Sequence, residues 1–196
     1  VVSSGAAVNI QMPSVDAISA QAAHPRLAPA GDGATVTPIS ISSSTSIFVS
    51  VLFSDGTSRG MSTDSRLLLE LDGPSGECAE IHGVNGVRIL PGSTCDTLTV
   101  KASIPSLASG VYALATITVV RLSHVVAYTF AHPTYQSPRE DDEWKVLERF
   151  HLLGCSGQYQ RGQLYVGAML TDESVVVVSS QSMVDSLTPD VLSVIQ

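Results

Sequence analysis

Apolar and polar residues alternate with a period of two through much of the chain, the spacing of half-buried β-strands. The alternation predicts strands at 36–41 and 46–53, another at 66–71 after a Ser/Thr turn, and short ones near 78–82 and 86–90. A strand at 97–103 and the long apolar run 111–120 follow. Between these segments stand Asp55-Gly56, Asp72-Gly73-Pro74, Asn85-Gly86 and Pro91-Gly92. Asp-Gly and Asn-Gly tolerate positive φ and favour hairpin turns. No segment carries a sustained 3.6-residue apolar stripe; Glu143–Leu153 comes nearest and predicts one short helix. About seven short strands in roughly 110 residues describe an antiparallel β-sandwich.

The pattern also repeats. Ala23-His24-Pro25 returns as Ala131-His132-Pro133, an offset of 108, and residues 47–57 return as 164–174, an offset of 117. Ser4–Met12 is similar to Ser109–Val120, since both lead from Ser-Gly into an apolar strand. The expected organisation is therefore a closing strand of a preceding module at 1–12, a complete sandwich at 13–121, and a second, truncated one at 122–196. Leu122 to Phe130 would be the first strand of that second copy. Between the two anchors it is longer by nine residues, placed near 137–145. This acidic stretch, Ser137-Pro138-Arg139-Glu140-Asp141-Asp142-Glu143-Trp144-Lys145, suits a solvated loop, because a core strand could not bury four carboxylates. Trp144, the only tryptophan, is expected to fold back as an apolar lid. The chain reads as a stretch of a longer polypeptide.

Val49-Ser50-Val51-Leu52-Phe53-Ser54-Asp55-Gly56-Thr57-Ser58-Arg59-Gly60-Met61-Ser62-Thr63-Asp64-Ser65-Arg66 resembles the middle of bacterial-type immunoglobulin-like domains, group 2. There an apolar strand runs into Ser-Asp-Gly-Thr, then a small polar stretch, then the next strand. Gly83-Val84-Asn85-Gly86-Val87 and Thr116-Ile117-Thr118-Val119-Val120 are similar to the family's turn and terminal strand. The likeness covers most of 36–121 and recurs more weakly from 164, where Glu173 replaces the glycine and predicts a different hairpin turn. The resemblance implies an all-β fold of tandem immunoglobulin-like antiparallel β-sandwiches, the last one incomplete. It also implies scaffolding of the kind found in adhesins, large surface proteins of bacteria and protists, flagellar surface filaments, and the lumenal part of a nuclear-pore membrane glycoprotein.

Composition narrows the chemistry. Apolar residues make up 44% and charged residues only 14%, enough to bury a core and too few charges for solvated helices. The net charge of −8, with no basic cluster, would repel a phosphate backbone, which excludes nucleic acid as a partner. The longest apolar stretch, Gly110 to Val120, is about half what a bilayer requires, so this segment is not expected to insert in a membrane. Of three cysteines, Cys78 and Cys95 are the natural disulfide pair in an oxidising compartment, and Cys155 stands apart.

No residue set points to catalysis, a cofactor or a bound metal. Ala-His-Pro occurs twice at matching positions, whereas one active site needs one histidine; Pro25 and Pro133 are expected to end strands that His24 and His132 cap. His82, His124 and His151 have no partner at metal-ligand spacing. Asp55, Asp64 and Asp72 fit no calcium loop and are expected to cap turns; only Asp172 is retained in the second copy. Gly154-Cys155-Ser156-Gly157 lacks the spacing of a nucleophile elbow. The expected function is a structural module of a rod, filament or adhesin stalk, extracellular or at a cell surface, on a flagellum or in a lumenal compartment. Its partners would be other modules of the same polypeptide and neighbouring subunits. The alternative is a cell-surface ligand- or carbohydrate-binding module using the 138–145 loop, with Glu140, Asp141, Asp142 and Trp144 as contacts. An aromatic content of 5% weighs against glycan binding.

Overall fold

A computed structural model describes residues 13–132, 154–155 and 161–185, with Ala131 and His132 as backbone only. The chain divides into two compact units, Val1–Thr35 with Ile41–Val120, and Val36–Ser40 with Arg121–Gln196. The described residues are mostly β, in antiparallel sheets.

In the first unit two sheets face each other. One has the order β1 (Val15–Ala22), β3 (Ser44–Phe53), β7 (Gly86–Ile89), β6 (Ala79–His82), with β4 (Ser58–Gly60) also paired to β3. The other runs β2 (Arg26–Leu27), β9 (Tyr112–Val119), β8 (Thr97–Ser103), β5 (Leu68–Leu71). Every pairing is antiparallel except β2 on β9, which is parallel through Arg26–Thr118 and Leu27–Val119. The period-two pattern explains the layers: Ile47, Val49 and Val51 of β3 point inward together, as do Leu98, Val100 and Ala102 of β8 and Ala115, Ile117 and Val119 of β9. Each large side chain so buried contributes about 1.5–3 kcal/mol. Cys78, at the end of the helical turn Ser75–Cys78, and Cys95, in the loop before β8, form a disulfide with Cα atoms 6.1 Å apart. It fastens an edge of one sheet to the other.

Two segments depart from the pattern. Residues 36–41, predicted as a strand, form a turn in which the amides of Ile39 and Ser40 both donate to the Val36 carbonyl, at 2.9 and 3.1 Å. Pro38 interrupts the alternation with a residue that has no N–H for a ladder. Conversely, β1 carries little apolar contrast, because Ala17, Ala20 and Ala22 are small and only Val15 and Ile18 are larger apolar residues packed against the core.

The second unit contains β10 (Leu122–His132), β11 (Arg161–Leu170) and β12 (Val175–Val177), antiparallel in that order. Taken by itself, it repeats the β1–β3–β4 register pair for pair, with three further pairs at the far end of β10. β11 and β12 are β3 and β4 displaced by 117 residues, ends included. Each pair has its bulge at the same place, between Val15 and Ala17 in one and between Leu122 and His124 in the other. The Phe53 amide donates to the Thr57 carbonyl at 2.9 Å, and Leu170 to Ser174 at 2.9 Å. The Val49 amide donates to Ser62 Oγ at 2.9 Å, and Val166 to Ser179 Oγ at 2.9 Å.

These registers correct two expectations. The turn at Glu173 does not differ from its counterpart: Glu173 takes φ 65° where Gly56 takes 81°. Asp172 accepts from the Ser174 amide and hydroxyl at 3.2 and 2.6 Å, as Asp55 does from Thr57 at 3.0 and 2.7 Å. That aspartate cap and the flanking ladder hold a non-glycine residue in the left-handed region. The Ala-His-Pro copies are not at matching positions. The strands are equivalent at an offset of 107, so the tripeptide sits one residue later in the second copy. His24 lies beyond the end of β1, whereas His132 is still paired, opposite Arg161. The second copy is longer by ten residues, not nine.

Candidate functional site

The repeated hairpin presents different chemistry on its outward face in each unit. In the first, Ser19, Gln21, Phe48, Ser50, Leu52, Ser58 and Gly60 share that face, and the Ser19 and Ser50 hydroxyls are bonded at 2.8 Å. The equivalent residues of the second are Val126, Tyr128, Tyr165, Gly167, Met169, Val175 and Val177. Gly167 makes this set fit: a Cβ there would lie 2.8 Å from Val175 Cγ1 and 3.3 Å from Val126 Cγ2. Tyr165 meets Phe130 edge to face, with ring centroids 5.1 Å apart. The first face therefore mixes serines with the exposed Phe48 and Leu52, and in the second Ser19 and Ser58 are replaced by valines.

Two clefts open on the first unit. The smaller, about 320 Å³, is lined by His24, His82, Gly86 and a run of hydroxyl residues, Ser42 to Ser46. Its hydroxyls are largely engaged with backbone. Ser42 Oγ donates to the Ser44 carbonyl at 2.7 Å, and Thr45 Oγ1 accepts from the His24 amide at 2.8 Å. Among the described residues no carboxylate lines it to orient either imidazole as a base. The larger, about 490 Å³, has apolar walls from Pro13, Val15, Phe53, Met61 and Leu107, with Arg59 and Arg66 at its border. That volume lies in the range of ligand sites.

The electrostatics of this larger groove are uneven. Arg66 is held by Asp64 through two side-chain bonds of 2.8 and 2.7 Å. Those bonds keep the Asp64 carboxyl well below the usual range and raise the guanidinium in turn. Arg59, on β4, pairs with Val51 through its backbone, and its side chain makes no hydrogen bond or ion pair among the described residues. Side-chain ion pairs Arg88–Glu80 and Lys101–Glu70 lie on strands elsewhere in the unit, and Lys101 also stands 5.2 Å from the Tyr112 ring centroid.

Of the residues singled out by sequence, Cys78 and Cys95 are joined, and Asp55, Asp64 and Asp172 each accept bonds from the residue two positions on. Cys155 is exposed and unbridged beside Gly154. His24 and His82 line one cleft, which their spacing did not foretell. The Glu140, Asp141, Asp142 and Trp144 loop, the 143–153 helix, His151, Pro133 and the 1–12 strand lie outside the described residues. Among the described residues no three His, Cys, Asp or Glu side chains gather as a metal-binding group. No described helix is long and apolar enough to cross a membrane. Sequence reasoning passed over Arg59 and Arg66, although a signal was there: laid over the second copy, they fall on Val176 and Met183. No family model matches the chain, and no curated protein matches it either.

Proposed function

We propose that the chain is a structural part of a larger extracellular or cell-surface protein, built from tandem immunoglobulin-like sandwiches and working by stacking and lateral contact rather than catalysis. One observation carries the reading: the hairpin of the first unit recurs in the second with the same strands, bulge, turn and serine-to-backbone bonds. Such a recurrence belongs to repeated folding units. The immunoglobulin type is supported by the strand order of the first unit. β1-β3-β7-β6 and β5-β8-β9 correspond in sequence order to the A-B-E-D and C-F-G sheets of that sandwich. The disulfide favours an oxidising compartment. On that hairpin's outward face Ser19 and Ser58 give way to Val126 and Val175, while Phe48 and Leu52 become Tyr165 and Met169; the added apolar area favours contact between modules, because apolar area removed from water drives association.

Antibody labelling of the native protein in its source cell tests this reading, together with calorimetry of the chain before and after reduction. Label along an external structure is expected, with two unfolding transitions of which reduction lowers one. Label confined to the cytosol, or a single transition that reduction moves as a whole, would remove it.

A further inference from the structure

We infer that the groove bordered by Arg59 and Arg66 docks an acidic peptide segment carrying a large apolar side chain, presented by another polypeptide. The walls of Pro13, Val15, Phe53, Met61 and Leu107 offer apolar surface, and Met61 is 2% exposed at the floor. Across this surface stand two guanidinium groups with different duties. Asp64 fixes Arg66 in a bidentate pair, so its position is set in advance. The Arg59 side chain makes no hydrogen bond or ion pair among the described residues, and its charge adds to the lowering of the Asp64 carboxyl. A guanidinium beside an apolar wall recognises a carboxylate next to an apolar side chain.

The repeat supplies an internal comparison. The hairpin that forms one wall is shared by both units, yet Arg59 and Arg66 are replaced by Val176 and Met183 at the equivalent positions. The turn, the ladder and the serine clamp survive that replacement. Arg59 is therefore not required to build the hairpin, and Arg66 belongs to the turn after it, where it pairs with Asp64. Charge complementarity selects the occupant: a chain with 18 acidic and 10 basic residues repels most acidic partners, and this groove is a local exception. The inference deepens the contact role proposed above and rests on it only in assuming that the chain works by binding other polypeptides.

The test uses the intact chain and a labelled, end-blocked peptide, Glu-Asp-Asp-Glu-Trp, the sequence of residues 140–144. Fluorescence anisotropy is expected to show saturable binding that weakens as sodium chloride is raised. Arg59→Glu should reduce affinity about tenfold or more, and Arg59→Gln by less. Arg161→Glu on the second unit, the same change in charge, should leave affinity unchanged. Circular dichroism of each variant checks the fold. No saturable binding up to about 1 mM, or equal binding by Arg59→Glu, overturns the inference. Displacement of the peptide by equimolar octanoate overturns it too, by making the groove a small-acid site. Peptide binding by a protein that labels only the cytosol would keep this inference and remove the surface role.

Discussion

The two hairpins share one backbone and differ in what they enclose. β1, β3 and β4 close one side of a two-sheet core, and Ile47, Val49 and Val51 are almost fully buried. In β10, β11 and β12 the equivalent inward residues are Leu164, Val166 and Ala168, and the first of them is only half-buried. Val125, at the position of Ile18, is 60% exposed. Backbone hydrogen bonds thus persist while the packing behind them changes. The hairpin is specified by local chemistry: a bulge, an aspartate-capped turn, and a serine that bonds the middle strand. What covers it is decided by residues remote in sequence.

Substitution at paired positions measures that difference. Ile47→Ala should cost about 3 kcal/mol, the range for a fully buried aliphatic side chain, and Leu164→Ala roughly half of that. Urea unfolding, monitored separately for each transition, gives both values; equal losses would mean that the two hairpins are equally enclosed. The disulfide sharpens the comparison next, because it belongs to the first unit alone. Cys78→Ala with Cys95→Ala should destabilise by about 3 kcal/mol, as expected for closing a loop of 17 residues. The second unit's transition should stay in place in the same calorimetric scan.

The turn offers a smaller, symmetrical exchange. Glu173→Gly should stabilise the second unit by about 1 kcal/mol, since glycine enters the left-handed region without a Cβ penalty. Gly56→Glu should destabilise the first by a similar amount. Opposite signs of the two melting shifts support a common turn; the same sign would break it. The smallest effect concerns acid. Asp55 is held below the usual carboxylate range by the Thr57 hydroxyl and amide, and Asp64 by Arg66. A folded value below the unfolded one means that these carboxylates stabilise the first unit above the unfolded range, and that the benefit is lost as pH falls through the lowered values. Asp55 is exposed and Asp64 partly exposed, so solvent screening keeps the stabilising effect small. Asp64→Asn should lower the melting temperature of the first unit slightly near neutrality, where the charged carboxylate stabilises it, and the difference from the unsubstituted chain should shrink as pH falls below about 4.

Much of the fold was legible. Strands 46–53, 97–103 and 111–120 were visible because large apolar residues alternate there with polar ones. β1 was harder to see because alanine carries little contrast, and 36–41 misled because alternation around Pro38 imitates a strand. Glu173 misled for a different reason. Left-handed residues are read from glycine, yet an aspartate cap with a paired ladder holds a glutamate there. The arginine groove escaped notice because residues 13–15, 53, 59–66 and 107–108 are brought together only by the fold.

By itself the sequence determined the β class, the period of the repeat, the places of the turns and the cysteines able to meet, all of which follow from a residue and its close neighbours. Tertiary structure alone decided the register that offsets the two Ala-His-Pro copies, the enclosure of one hairpin over the other, and the convergence of apolar walls on Arg59. Those features depend on which distant strands pair and which sheet faces which. Such choices minimise exposed apolar area over a whole unit, and no local stretch of residues records the outcome.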